Sequence, residues 1–248
     1  MPSSLRHSFE HQLAELQDDI LRMGSFVSGM LGLAMEALVR QDLNLAERVV
    51  EMDDTADAMD LQIEQKCMRL LALQQPMSRD LRIIGAGLKI ITDLERIGDY
   101  SVDMAKTARR LARDPYYHSL QDLAKMGAEV EWMVRECIHA YVDHDLDLVE
   151  QVIVRDDVVD DAYDRMFSQL LVTMEREPCT LRQGTWLLHV GRFLERIADH
   201  AVNVAEKVHY VEIGERREKT PPKPAHLNGH GRPTAPYPPS PHADRNGH

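Results

Sequence analysis

The feature that most constrains this chain is a short motif, Leu-Glu-Arg-Ile-x-Asp, which occurs at residues 94–99 and again at residues 194–199. A second block is also repeated. Residues 42–57 align without gaps to residues 145–160, and half of the aligned positions are identical. The two blocks keep their order, at offsets of 100 and 103 residues. Chance recurrence of one motif would not repeat a second block in the same order, so the chain contains an internal duplication.

The composition favours helices in both halves. Phe, Trp and Tyr together make up 5% of the residues, whereas Leu, Ala, Glu and Arg are abundant, which is typical of helical proteins. Apolar residues recur at helical spacing in six stretches, and Pro76 and Pro178 mark matching breaks. The stretches run over residues 5–40, 45–74, 78–113, 118–142, 146–176 and 180–210. The sequence therefore predicts an all-α fold of two tandem antiparallel three-helix bundles, with domains at residues 1–115 and 116–213.

The last part of the chain has a different composition. From Gly214 onward it is rich in Pro, Gly and His and holds few apolar residues, so burial cannot offset the entropy of ordering it. We expect residues 214–248 to form a disordered tail. A secretory signal and a run of eighteen apolar residues are both missing, so we expect a cytoplasmic protein without membrane insertion. The net charge of −12 argues against nucleic acid as a partner.

Each copy of the short motif continues as Glu-x-x-x-Asp-x-x-x-Asp or Asn. Residues four apart lie on one stripe of a helix, so each copy lines up three oxygen-bearing side chains. If the second and third helices of each half fold back on each other at the prolines, an Asp-x-x-x-Asp of the second helix faces that stripe. The predicted facing pairs are Asp53 with Asp99, Asp57 with Glu95, Asp156 with Asp199, and Asp160 with Glu195.

Four carboxylates in each half would repel one another without a counter-charge. Two carboxylates about 6 Å apart repel by roughly 3 kcal/mol at an effective dielectric constant of about 20. Oxygen donors without cysteine suit Mg, Mn, Ca or Fe better than structural zinc. The candidate metal ligands are Asp53, Asp57, Glu95, Asp99 and Asp103 in the first half, and Asp156, Asp160, Glu195, Asp199 and Asn203 in the second.

Two other interpretations of these residues stay open at this point. The acids could form a solvated face, with Arg96, Arg192, Arg196 and Lys89 as ion-pair partners. A metal-dependent hydrolase or oxidase could also use them. The Glu-x-x-His spacing of di-iron bundles occurs at residues 136–139 and 206–209, but these lie at unrelated positions of the duplication. Phosphate-binding loops, nucleophile elbows and zinc-protease motifs are missing, so a protein that is not an enzyme is favoured.

Several of these motifs resemble one family. Residues 75–82 read Gln-Pro-Met-Ser-Arg-Asp-Leu-Arg, residues 93–99 read Asp-Leu-Glu-Arg-Ile-Gly-Asp, and residues 192–206 extend the second copy to Asn-Val-Ala-Glu. Together with Leu88-Lys89 they are similar to the PhoU family of bacterial phosphate transport accessory proteins. The resemblance covers residues 5 to about 212. Ala198 stands where the family's second motif usually has glycine.

The resemblance implies a fold and a function. It implies two three-helix domains with multinuclear metal sites at the acidic motifs, holding divalent or trivalent ions such as Fe, Mn, Mg or Zn. It implies a negative regulator of phosphate uptake and phosphate-starvation signalling. The implied partners are the ATPase subunit of the phosphate transporter and the phosphate-sensing histidine kinase at the inner membrane. We also expect a homodimer.

Overall fold

The structure, a computed structural model, describes residues 3–74, 76, 78–215 and 217. Over these residues the chain forms six α-helices and one 3-10 turn, Pro178–Thr180, and no strand. The helices are α1 (Ser3–Arg40), α2 (Leu43–Gln74), α3 (Ser78–Leu111), α4 (Gln121–Asp143), α5 (Leu146–Arg176) and α6 (Leu181–Ile213). The predicted stretches agree with these bounds to within three residues, and the all-α prediction is confirmed.

Each repeat packs three antiparallel helices around an apolar core. The apolar stripe of α1 is buried, including Leu16, Ile20 and Met23. The longest shared surfaces join α1 to α3, α2 to α3 and α3 to α6, so the repeats meet through their third helices in one unit that reaches Arg217. The predicted domain boundaries stay a prediction, and the predicted tail lies outside the described residues from residue 218 onward. None of the described helices has a stretch apolar and long enough to cross a membrane.

The turn between the first two helices is built in the same way in both repeats. The carboxylate of Asp42 accepts two backbone amides from the first turn of α2, at 2.8 and 3.1 Å. The carboxylate of Asp145 does the same for α5, at 2.8 and 3.0 Å. The preceding residues, Gln41 and His144, both adopt left-handed backbone angles, with φ of 54° and 56°. These aspartates cap the N-termini of α2 and α5. Each of the two helices therefore begins directly at the turn and runs antiparallel to the helix before it.

The two repeats make reciprocal contacts, in which equivalent residues of the two repeats exchange places. Where α3 meets α6, the ring of Tyr100 stacks on Phe193 with centroids 6.0 Å apart. At the equivalent positions, with the repeats exchanged, His200 Nδ1 lies 2.9 Å from Asp93 Oδ1. One contact is aromatic and the other polar. The duplication therefore preserved the position of this contact while its chemistry diverged.

The contact between α1 and α4 is reciprocal in the same way. The side chain of Ile138 reaches over Gly24, and that of Met35 reaches over Gly127. Gly24 and Gly127 are equivalent residues of the duplication, as are Met35 and Ile138. Each glycine thus leaves the space that a side chain of the other repeat fills.

Candidate metal centres

The first acidic cluster, made of Asp53, Asp57, Glu95 and Asp99, lies where α2 packs against α3. The pKa of Asp53 is raised by partial burial and then by the charges of Asp57 and Asp99. Burial likewise raises the pKa of Glu95, and the charge of Asp99 adds to this while Arg96 opposes it. Asp57 also acts on Glu95. These interactions follow the predicted antiparallel pairing.

The second acidic cluster is made of Asp156, Asp160, Glu195 and Asp199, and two of its acids have pKa values raised further than those of the first cluster. Burial raises the pKa of Asp156 to about 7, with further contributions from Asp160 and then Asp199. Burial also raises the pKa of Asp160 to about 6, followed by the charges of Glu195 and Asp199. Removing a carboxylate from water and placing it beside other anions both disfavour its charged form. Without a cation, Asp156 is therefore partly protonated near neutral pH.

One oxygen of the second cluster points to a cation most directly. Asp156 Oδ1 is buried and has no hydrogen-bond partner. Buried polar atoms in proteins are nearly always paired, so a carboxylate oxygen in this position needs either a proton or a positive ion. Together with the oxygen-only donor set, this unpaired atom fits a hard metal ion.

Arginines neutralise the acids of the third helices. Arg96 Nη1 lies 2.8 Å from Asp99 Oδ2, and Arg96 Nε lies 3.4 Å from Glu95 Oε2. In the second half, Arg196 Nη1 lies 3.3 Å from Asp199 Oδ2, and Arg192 pairs with Glu195. The ion-pair interpretation therefore applies to the acids on α3 and α6. It leaves Asp156, on α5, without a basic partner for its buried oxygen.

The third ligand position of each stripe makes other contacts. Asp103 Oδ1 lies 3.8 Å from Lys106 Nζ on the same helix. Asn203 Nδ2 donates to Asp93 Oδ1 at 3.2 Å, across the contact between α3 and α6, and His200 shares that oxygen. The structure thus brings four of the five predicted ligands together in each half. Asp103 and Asn203 are engaged elsewhere.

Two further residues at equivalent positions border the clusters. The charge of Asp60 raises the pKa of Glu95, and burial raises the pKa of Asp60 itself. Tyr163 takes this position in the second half, and its pKa is raised by burial and then by Glu195. The i, i+3 spacing of Asp57 and Asp60 could have identified the first residue. No feature of the sequence identified Tyr163.

The clusters are not preformed metal cages. In the part of the chain that the structure describes, no group of three or more His, Cys, Asp or Glu side chains has the arrangement needed to hold an ion as it stands. The acids of α3 and α6 are turned to arginines instead. An ion would have to replace some of these arginine contacts.

The rival Glu-x-x-His pair on α4 makes an ordinary side-chain contact. His139 Nδ1 lies 3.1 Å from Glu136 Oε2, and Arg135 Nε lies 3.0 Å from the other oxygen of Glu136. These contacts already engage both oxygens of the Glu136 carboxylate. The pair thus offers no feature of a di-iron centre beyond its spacing.

The repeated three-helix unit and the paired acidic clusters define the class of this protein as a duplicated helical-bundle protein with a carboxylate-rich centre in each half. The family profile described as "PhoU domain" matches twice, at residues 20–108 and 123–208. The chain belongs to the PhoU family. This membership confirms the prediction that it is not an enzyme.

Relatives match over nearly the whole of their own length. The phosphate-specific transport system accessory protein PhoU homolog of Clostridium acetobutylicum is 41% identical over 212 residues, which are 85% of this chain and 97% of the relative. The homolog of the same name from Caulobacter vibrioides is 37% identical over 217 residues, or 87% of this chain and 94% of the relative. The crystal structure of PhoU from Pseudomonas aeruginosa superimposes with a TM-score of 0.81 at 34% identity, covering 84% of this chain and 100% of that one.

Proposed function

We propose that this chain is a negative regulator of phosphate uptake and phosphate-starvation signalling that acts by contact with other proteins. The observation that carries the proposal is the match, over most of both chains, to relatives named as accessory proteins of the phosphate-specific transport system. Long exposed helix surfaces suit a protein that docks on others. The proposed partners are the ATPase subunit of the transporter and the phosphate-sensing histidine kinase. The proposed location is the cytoplasmic side of the inner membrane, as a homodimer.

Metal ions on the two acidic clusters are part of the proposal. Asp156, Asp160, Glu195 and Asp199 would hold ions in the second half, and Asp53, Asp57, Glu95 and Asp99 in the first. A bound cation neutralises carboxylates that otherwise repel. Because each cluster draws on two helices, an ion there would fasten α2 to α3, and α5 to α6. Its role would be to stabilise the docking surfaces. Fe, Mn, Mg and Zn are the candidates.

A deletion strain tests the regulatory proposal. Deleting the gene is expected to switch on phosphate-starvation genes in medium rich in phosphate, and the intact gene supplied on a plasmid should silence them again. A transcriptional reporter measures the response. Starvation genes that stay silent in the deletion strain would contradict the proposal, and metal-dependent turnover of a small substrate by the purified protein would support the hydrolase or oxidase alternative in its place.

A further inference from the structure

The second repeat has an apolar cavity at one end that the proposed function does not use. It has a volume of about 340 Å³ and lies between the start of α4, the end of α5 and the start of α6. Its wall includes Leu123, Leu170, Thr173 and Leu187, and the loop before α4 contributes Tyr117. An apolar cavity of about 150 Å³ can hold a benzene molecule. This one therefore has room for about two large side chains.

The duplication explains why the cavity exists. With the offset of 103 residues, the buried residues of α4 match those of α1, from Leu123 and Ile20 onward. However, α1 begins at Ser3 whereas α4 begins only at Gln121. The first four turns of α1 thus have no helical counterpart in the second repeat. The cavity lies where that missing helix would pack.

The same comparison shows what the missing helix covers. In the first repeat, α1 contributes Phe9, Leu13 and Leu16 to the buried core, and Cys67 and Leu70 of α2 are fully covered, with exposed fractions of 0% and 4%. Their equivalents on α5, Leu170 and Thr173, are only half-buried. The second repeat therefore presents to solvent a surface that the first repeat covers with an amphipathic helix.

We propose that this end groove, the open cavity with Leu170 and Thr173 on its α5 wall, binds one amphipathic helix of a partner protein. The helix places two apolar side chains, one turn apart, into the cavity, as Leu13 and Leu16 of α1 do for the first repeat. Apolar anchors at i and i+3 or i+4 are the usual way in which a helix occupies a groove. The inference rests on the proposed function only in requiring a protein partner.

The charge at one position of the groove indicates which side chains the partner helix needs. In the first repeat Lys66 of α2 pairs with Asp19, and its Nζ lies 4.0 Å from Glu15 Oε2. The equivalent residue of α5 is Gln169, which is neutral. A helix in the end groove thus needs the apolar stripe, but Gln169 offers no charged partner for the acidic flank that α1 carries.

The chain's own C-terminal residues do not have the required composition. Residues 218–248 contain one leucine, no isoleucine, valine, methionine or phenylalanine, and prolines at short intervals. Proline in the interior of a helix removes a hydrogen bond and disrupts the turn. These residues cannot supply two aliphatic anchors one helical turn apart, so a separate protein is the better occupant.

A synthetic peptide of residues 7–22, labelled with a fluorophore, tests the groove on the full-length chain by fluorescence anisotropy. We expect saturable binding. It should be lost when the peptide carries Leu13→Glu and Leu16→Glu, and retained within about two-fold when it carries Glu15→Gln and Asp19→Asn. On the protein, Thr173→Trp fills the cavity and should weaken binding by about ten-fold or more. Val154→Trp, at an exposed position of the same helix, is the matched control and should change it less than two-fold.

Other outcomes would overturn the inference. Absence of saturable binding, or equal effects of Thr173→Trp and Val154→Trp, would show that the groove does not accept such a helix. Binding of anilinonaphthalene sulfonate that Thr173→Trp abolishes, without peptide binding, would indicate a small apolar ligand. Self-association sensitive to Thr173→Trp would indicate a second copy of the chain. Circular dichroism checks folding, and Leu170→Glu repeats the test should Thr173→Trp misfold. None of these measurements depends on gene expression in the deletion strain. The proposed groove and the proposed regulatory function can therefore fail separately.

Discussion

Equivalent residues of the duplication have unequal surroundings, and Asp53 and Asp156 show this best. Both have a raised pKa, first because of burial. The pKa of Asp156 reaches about 7, and one of its oxygens is buried without a partner. Lys106 partly offsets the anions around Asp53, whereas the charges acting on Asp156 are all negative. The second cluster therefore gains more from a cation than the first.

The pKa of Asp156 predicts how the stability of the metal-free protein depends on pH. A carboxyl group with a raised pKa holds its proton more tightly in the folded chain, so the free energy of unfolding falls as the pH rises from the unfolded to the folded pKa. For Asp156 this interval runs from 3.8 to about 7. Asp156→Asn should remove much of that loss, and Asp53→Asn should remove less.

Urea unfolding followed by circular dichroism, in the presence of a chelator, measures this dependence between about pH 5 and pH 7.5. If the free energy of unfolding changed with pH in the same way for the wild type and Asp156→Asn, Asp156 would not hold a proton in the folded chain. With metal bound, the free energy of unfolding should instead increase with pH, because ions compete with protons for the carboxylates and bind better as the pH rises.

The sequence predicted most of the acidic clusters because side-chain spacing on a helix and antiparallel pairing are both regular. The four facing carboxylates of each half followed from these two rules. The contact of Asn203 with Asp93 did not, because it depends on how the two repeats pack. The arginine contacts of Glu195 and Asp199 agree with the ion-pair alternative. Sequence alone could not decide which acids the arginines reach.

At the scale of the helices, the turns after α1 and α4 share a geometry but differ in their side-chain contacts. Gln41 and His144 both have a left-handed backbone, which costs a residue other than glycine about 1 kcal/mol or more. Gln41 Nε2 also donates to the backbone carbonyls of Leu111 and Asp114, at 2.9 and 2.8 Å. His144 Nδ1 lies 2.8 Å from Glu212 Oε1.

Glycine substitutions in these turns should therefore have different effects. His144→Gly relieves backbone strain and loses a surface contact with Glu212 that is worth about 0–1 kcal/mol at most, so stability should be unchanged or slightly higher. Gln41→Gly relieves the same strain but loses two hydrogen bonds worth about 1 kcal/mol each. We expect His144→Gly to be the more stable variant by roughly 1–2 kcal/mol in urea unfolding. Equal stabilities would mean that the Gln41 hydrogen bonds contribute nothing.

The crossing of α1 and α4 allows a second matched comparison. A Cβ on Gly24 would lie 2.3 Å from Cδ1 and 2.8 Å from Cγ1 of Ile138, and a Cβ on Gly127 would lie 2.4 Å from Cε of Met35. Alanine gains about 1 kcal/mol in helix propensity at either site. The flexible end of Met35 can move aside, whereas branched Ile138 has less freedom.

We therefore expect Gly127→Ala to leave the melting temperature nearly unchanged. Gly24→Ala should lower the free energy of unfolding by about 1–3 kcal/mol, the usual cost of overpacking a core. Thermal unfolding of the two variants side by side measures the difference. If Gly127→Ala proved the more damaging of the two, the packing of this crossing would differ from the one described.

At the scale of the whole molecule, the two repeats form one helical unit in which each carries its own acidic cluster. The sequence predicted two bundles, but the pattern within each repeat did not indicate that α3 and α6 would share one of the longest contacts. Tyr100, Phe193 and His200 lie in that contact and carry no periodic signal that distinguishes an interface from a surface. The end groove likewise depends on the unequal lengths of α1 and α4, which the sequence pattern did not give.

We propose that the duplication gives two separate metal centres, one in each half, and elemental analysis of the purified protein is the direct test. Wild type, Glu95→Gln/Asp99→Asn and Glu195→Gln/Asp199→Asn should be loaded with metal under the same conditions and dialysed together. We predict that each double variant keeps the metal of the unaltered half and loses that of the other, and that combining all four substitutions removes both. Unchanged metal content in either double variant would contradict the assignment.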